Sequence, residues 1–458
     1  MTRTPRRLVA ALLAGALALS GCGGDDDDAG DDAGGESDDD ATLHVPGDYD
    51  TIQAAVDAAE PGDLVLIEPG VYEESVSVTT PELTIRGTDR NEVILDGGFE
   101  LDNGIRVTGA AGVAIENMTA RNYTKNGFFW TGVEGYRGSY LTTYRIGDYG
   151  IYAFDSVQGL LEHSYTAGSP DAGVYIGQCY PCDAVIDDIV SEYNGLGYSG
   201  TNSGGDLYIV NSTFRFNRAG IVPNSGSYEL CYPERETTIV GNRVYSNNQA
   251  DTPAIDVALL AMGNGILPAG GVGNVIERNR VWDHDLTGVG LVPFPEEDAN
   301  DVVPPGSDDD QPCSEAKGEA TADPATIPDT VLWEPRDNRI VGNVIEDSGL
   351  ADIAVGSLGD VSGLGNCFAD NEHATSAPTE LEALAPCEGD GSGGDWTAGA
   401  LDLGRFLAEK PPSGDYQTTP VPDDQENMPD PESAPARPAT DVPAEMDLDA
   451  IEVPDRPE

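Results

Sequence analysis

Four glycines, Gly104, Gly127, Gly150 and Gly173, stand 23 residues apart, and Gly197 and Gly220 continue the series after a one-residue slip. Gly265 and Gly288 are again 23 apart. A fixed period in the range of roughly 20 to 50 residues means stacked units that bury a face only against their neighbours. The residues between the glycines exclude helical units. VAIENMTARNYTKNGFF, LYIVNSTFRFNRAGIV, TTIVGNRVYSNN and NRIVGNVIEDSG place apolar residues at alternate positions and Asn or Gly at the bends, which is the pattern of short strands. Three such strands and their turns fill one period. The sequence therefore predicts an all-β chain, a right-handed parallel β-helix with about 23 residues per coil.

The start of the repeat fits a capped solenoid. In DYDTIQAAVDAAEPGDLVLIEPGVY, Asp50 is placed to cap a helix with Gln53 three residues on. Ile52, Ala55, Val56 and Ala59 share one face, and Pro61-Gly62 ends the helix before LVLIEPG opens the first strand. Such a helix would cover the open edge of the first coil. TIQAAVDAAEPGDLVLIEPGVYEESV resembles the opening of the pectin-lyase-like superfamily, and the resemblance spans about residues 43–372. It implies the fold but little about activity, because that superfamily includes pectin esterases, mannuronan epimerases and periplasmic copper-processing proteins.

The ends of the chain point to export. Arg3, Arg6 and Arg7 precede an apolar core, Leu8 to Leu19, too short to span a bilayer, and Leu19-Ser20-Gly21-Cys22 resembles a bacterial lipobox. Residues 1–22 are thus expected to be a lipoprotein signal peptide, with Cys22 carrying the lipid on the extracytoplasmic side of a cell membrane. Residues 23–42 read as an acidic, disordered tether. Residues 43–372 form the β-helix, 373–390 a C-terminal disulfide loop, and 391–458 an acidic, Pro-rich tail expected to be disordered. Twenty Arg and three Lys stand against 82 carboxylates, a formal net charge of −59. A nucleic-acid footprint is excluded, and an anionic polysaccharide would be repelled unless cations bridge the gap.

Catalytic signatures of the relatives are mostly missing. Asp187-Asp188 is present, but the Gly-His-Gly and Arg-Ile-Lys that accompany such carboxylates in polygalacturonases are not. Tyr149-Gly150-Ile151 matches the first part of the mannuronan epimerase stretch, and Tyr152-Ala153-Phe154 then replaces its Asp-Pro-His. Between Arg145 and Arg215 no Lys or Arg is available as the base of a polysaccharide lyase. His44, His163, His284 and His373 are scattered without an H-E-x-x-H pair, and no P-loop exists to hold a nucleotide.

What remains is a ladder. Steps of 23 from Lys125 give Asp148, Asp171, Asn194 and Asn217, and four residues on stand Phe129, Tyr152, Tyr175 and Tyr198. If Ile151 and Val174 point inward, Tyr152 and Tyr175 point outward, stacked about 4.8 Å apart beside a polar row. Phe129, Tyr152, Tyr175, Tyr198 and Asn194 are thus the expected lining of a lateral carbohydrate groove, and Asp148, Asp155 and Asp171 the carboxylates available as acid and base. Three readings stay open: carbohydrate binding, a glycoside hydrolase or epimerase, and a non-catalytic envelope protein in which these rows only stack. Asp148 and Asp171, one coil apart, would share a proton or bridge a calcium ion. Six cysteines beside Cys22 pair as Cys179–Cys182, Cys231–Cys313 and Cys367–Cys387, with zinc on the first four as the alternative.

Overall fold

The computed structural model describes residues 41–297, 313, 330–443 and 446–457. The signal peptide, Cys22 and nearly all of the tether lie outside the described residues. The fold is the expected right-handed parallel β-helix. One wall is a seven-stranded parallel sheet of Val76–Val78, Asn103–Thr108, Asn126–Thr131, Tyr149–Phe154, Ala172–Gly177, Leu196–Thr201 and Ala219–Asn224. The other walls merge into a 20-stranded sheet. Along the first wall, Ile105, Phe128, Ile151, Val174, Tyr198 and Ile221 point into a continuous apolar core. The glycine period has a steric cause. A Cβ on Gly127 would lie 2.5 Å from the Gly150 carbonyl oxygen and 2.8 Å from Thr143, so only glycine lets the coils meet at this corner.

Asparagine ladders hold other corners. Asn242, Asn279, Asn343 and Asn371 are stacked so that each side-chain NH₂ donates to the next side-chain oxygen at 2.9–3.0 Å. The same oxygens accept from the backbone N–H one coil back. Buried turn groups that would otherwise be orphaned are satisfied in this way.

The first strand is Thr42–Val45, ahead of the expected Leu64–Ile67, and the two pair in parallel. The helix spans Ile52–Ala58, with Ile52, Ala55 and Val56 buried as expected. Its cap is Thr51 rather than Asp50, and Gln53 does not close a capping box. Its side-chain amide bonds Asp57 and Ser77 instead, while Glu74 accepts from the backbone N–H groups of Ile52 and Gln53.

Residues 391–443 and 446–457 depart from the expectation of disorder. They form a strap along the solenoid, fixed by eight arginines of the coils that donate to its main-chain carbonyls. Arg218 holds Pro411 and Pro412, Arg145 holds Thr419, and Arg90 holds Glu426. Arg86 holds Ala434 and Pro435, and Arg137 holds Arg437. The strap then returns, and Arg278, Arg280 and Arg243 bind Leu448, Ile451, Pro454 and Asp455. Met446, Leu448 and Ile451 pack on Val185, Val210 and Val240. Composition reads the strap as too polar to build a core. It builds none, and borrows a solenoid face with a prepared set of donors.

Candidate functional site

The outward face of the seven-stranded wall carries the predicted row in part. Arg106, Phe129, Tyr152 and Tyr175 are register partners on successive coils. Phe129 and Tyr152 stack at 4.5 Å, and the Arg106 guanidinium lies 5.2 Å from the Phe129 ring centre. The row then breaks. Tyr175 pairs with Ser199, while Tyr198 pairs with Val174 and lies in the core. The cause is the 24-residue step from Gly173 to Gly197, because a one-residue slip turns a side chain to the other face. The slip also removes Asn194 from the carboxylate row. Asn194 is fully buried in a corner ladder, donating to Asn217 and accepting from the Ser169 N–H.

The carboxylates sort the same way. Asp148 and Asp171 precede adjacent strands of the wall, joined by a bond from the Asp171 N–H to the Asp148 carbonyl. Asp155 follows the strand Tyr149–Phe154 in a left-handed turn (φ 54°). Seven residues of extended chain, about 20 Å, separate it from Asp148, so it is not a partner of that pair. Lys125 is committed to Asp102 at 2.7 Å.

Two residues outside the predicted ladder complete the site. Tyr149 stacks on Tyr152 at 4.4 Å, lies 4.8 Å from the Tyr175 ring, and donates its hydroxyl to Asp171 at 2.6 Å. Glu229, from the insertion after Asn224, accepts the Tyr175 hydroxyl at 2.5 Å. Tyr149 was legible as an aromatic residue three before Tyr152, but its neighbours Ala172 and Leu196 carry no repeat of it. Nothing local marks Glu229. Its loop is held by Asn202, which donates to the Gly226 and Glu229 carbonyls, and by Glu296, which accepts from Ser227 and Trp333. Gln178 accepts from the Leu230 N–H, and Cys231 is bonded to Cys313. Cys179–Cys182 and Cys367–Cys387 are also paired, as expected.

This loop closes over Tyr175, so Tyr175 faces outward from the wall yet is buried. Phe129 and Tyr149 stack on Tyr152 at interplanar angles of 14° and 18°, and Tyr175 meets it edge-on at 73°. The aromatic row thus offers edges and hydroxyls in place of free ring faces. Tyr228, well exposed beside Glu229, is the open ring of the group.

Burial raises the proton affinity of all three carboxyls. Desolvation lifts Asp148 to about 6 against the pull of Lys125. It lifts Asp171 to about 7, opposed by the Tyr149 hydroxyl and aided by the charge of Asp148. Glu229 rises to about 8, again through desolvation first, with Tyr175 opposing and Asp171 aiding. One Glu229 oxygen, Oε2, is buried without a hydrogen-bond partner among the described residues. Among the described residues no three His, Cys, Asp or Glu side chains are grouped as metal ligands, so a calcium ion on Asp148 and Asp171 would lack a third such ligand. The carboxyls instead suit holding and exchanging protons near neutrality.

Farther along the same face lies an apolar groove of about 380 Å³, lined among others by Val222, Leu267, Val292, Phe294, Leu403 and Phe406.

Residues 103–292 match the family model described as the right handed beta helix region. Among solved structures, the chain is similar to the A-module of a mannuronan C-5 epimerase of Azotobacter vinelandii, with 15% identity over 74% of this chain and 93% of that one, TM-score 0.43. It is also similar to an alginate lyase from Paenibacillus, 17% identical over 55% of this chain and 90% of that one, TM-score 0.38. A third is PfbA, a surface adhesin of Streptococcus pneumoniae, 13% identical over 71% and 74%, TM-score 0.40. No curated protein matches the chain in sequence. The family match is one of fold, the right-handed β-helix, and says nothing of activity.

Proposed function

We propose that the outward face of the seven-stranded wall is a polysaccharide groove, presented outside the cell by a chain tethered through a lipid on Cys22. The observation that carries this reading is the convergence of Asp148, Asp171 and Glu229 with Tyr149, Tyr152 and Tyr175 on one lateral face. Carboxyls and phenols on one lateral face are groups that hold sugar hydroxyls, and the exposed Tyr228 ring can pack on a sugar face. The raised proton affinities favour a second reading on the same site, hydrolysis of a glycosidic bond. Asp171 would protonate the leaving oxygen while Asp148 attacks the anomeric carbon, and a water that gives its proton to Asp171 would then release the sugar from Asp148.

Affinity electrophoresis through gels cast with neutral, amino and acidic polysaccharides tests the groove. At least one polymer should retard the wild type, and Asp171→Asn should migrate freely in that gel. Equal migration of both proteins in every gel removes the reading. A reducing-end assay on the retarding polymer decides whether cleavage follows binding. The tether has its own test, since Cys22→Ser should release the protein from the membrane fraction.

A further inference from the structure

We propose that the groove is built for a polysaccharide carrying protonated amines, a polymer of amino sugars left unacetylated. The inference rests on the groove reading above and names its substrate class.

Among the described residues no cation is paired with Asp148, Asp171 or Glu229, three carboxyls that act on one another through Asp171. Lys125 bonds Asp102, Arg106 lies over Phe129, and no Lys or Arg occurs from residue 146 to 214. The donors reaching the carboxyls are two neutral phenols, Tyr149 on Asp171 and Tyr175 on Glu229. Two other buried carboxylates do have arginine partners, Glu116 with Arg86 and Arg137, and Glu192 with Arg215.

The second observation is Glu229 itself. Its Oε1 takes the Tyr175 hydroxyl, while its Oε2 is buried and unpartnered among the described residues. A buried acceptor left bare is costly, and an ammonium, with three donors and a full charge, satisfies it best. An ammonium would also restore the ionised state of carboxyls that burial now holds protonated, so binding should release protons near pH 7. A polyanion finds the reverse, since the formal charge of −59 repels it.

Calorimetry with three hexasaccharides of equal length tests this: a glucosamine hexamer, its fully N-acetylated form and a galacturonate hexamer. The glucosamine hexamer should bind about ten-fold or more tighter than the acetylated one, the worth of a charged hydrogen bond. So acidic a chain attracts any polycation, and two variants separate site from bulk charge. Glu229→Gln should lose most of the preference, and Asp390→Asn, in the exposed segment beyond Cys387, should keep it. Tighter or equal binding of the acetylated hexamer overturns the amine inference and leaves the groove standing. So does an equal effect of the two substitutions. If none of the three hexamers binds and no polysaccharide retards the protein in gels, the groove reading itself fails with it.

Discussion

Tyr149 reaches one coil along the solenoid and donates its phenolic hydrogen to Asp171 at 2.6 Å. The bond joins two successive strands of the wall through their outward side chains, and it places a proton donor on a carboxyl that Asp148 also influences. The Tyr149 ring meanwhile stacks on Tyr152. Fold and site are thus made of the same residues here.

Stability should depend on pH through this cluster. Asp148, Asp171 and Glu229 hold their protons to about 6, 7 and 8 in the folded chain. The unfolded chain releases them near pH 4, so the folded state binds more protons in between, and stability falls as pH rises from about 4 to about 8. Urea unfolding across that range should show a shallower fall for Asp171→Asn than for the wild type. Parallel curves would mean that Asp171 titrates as a solvated carboxyl.

The tyrosines should separate by direction. Tyr198→Ala opens the core and should cost about 3–5 kcal/mol in urea unfolding. Tyr152→Ala loses stacked contacts on a half-buried face and should cost about 1 kcal/mol. Similar costs for the two would contradict the inward turn of Tyr198.

Thermolysin should cut the intact chain slowly between residues 411 and 455, although Met446, Leu448 and Ile451 are preferred side chains for it. Arginine clamps and the Val185, Val210 and Val240 patch protect that segment. Cleavage there within the dead time of the assay would show the strap detached.

Cys231–Cys313 anchors the loop that carries Glu229. Cys231→Ser should weaken polysaccharide binding while circular dichroism of the coils stays unchanged, because the disulfide lies outside the ladder of paired strands. Unaltered binding would place Glu229 outside the groove.

The solenoid could be read from the sequence because its glycines repeat for a steric reason, as at Gly127, and its inward aliphatics alternate. The site was legible only where the period held. Asp148, Asp171, Phe129, Tyr152 and Tyr175 stand before the slip and are brought to one face, although Tyr175 is roofed by a loop. Asn194 and Tyr198 stand after it and turn inward. Glu229 arrives from an insertion whose path is set by Asn202, Gln178 and Glu296, partners 27 to 69 residues away. The strap was hidden because its partner is the solenoid wall, and composition of a segment says nothing of donors elsewhere in the chain.

Hydrogen–deuterium exchange with mass spectrometry, with and without the polysaccharide that most retards the protein in gels, tests the central claim most directly. The account predicts slowed exchange in peptides covering residues 148–154, 171–177 and 225–231, with the strap peptides 411–455 unchanged. Slowed exchange confined to the strap or to the opposite walls, with those three segments unaffected, would contradict it.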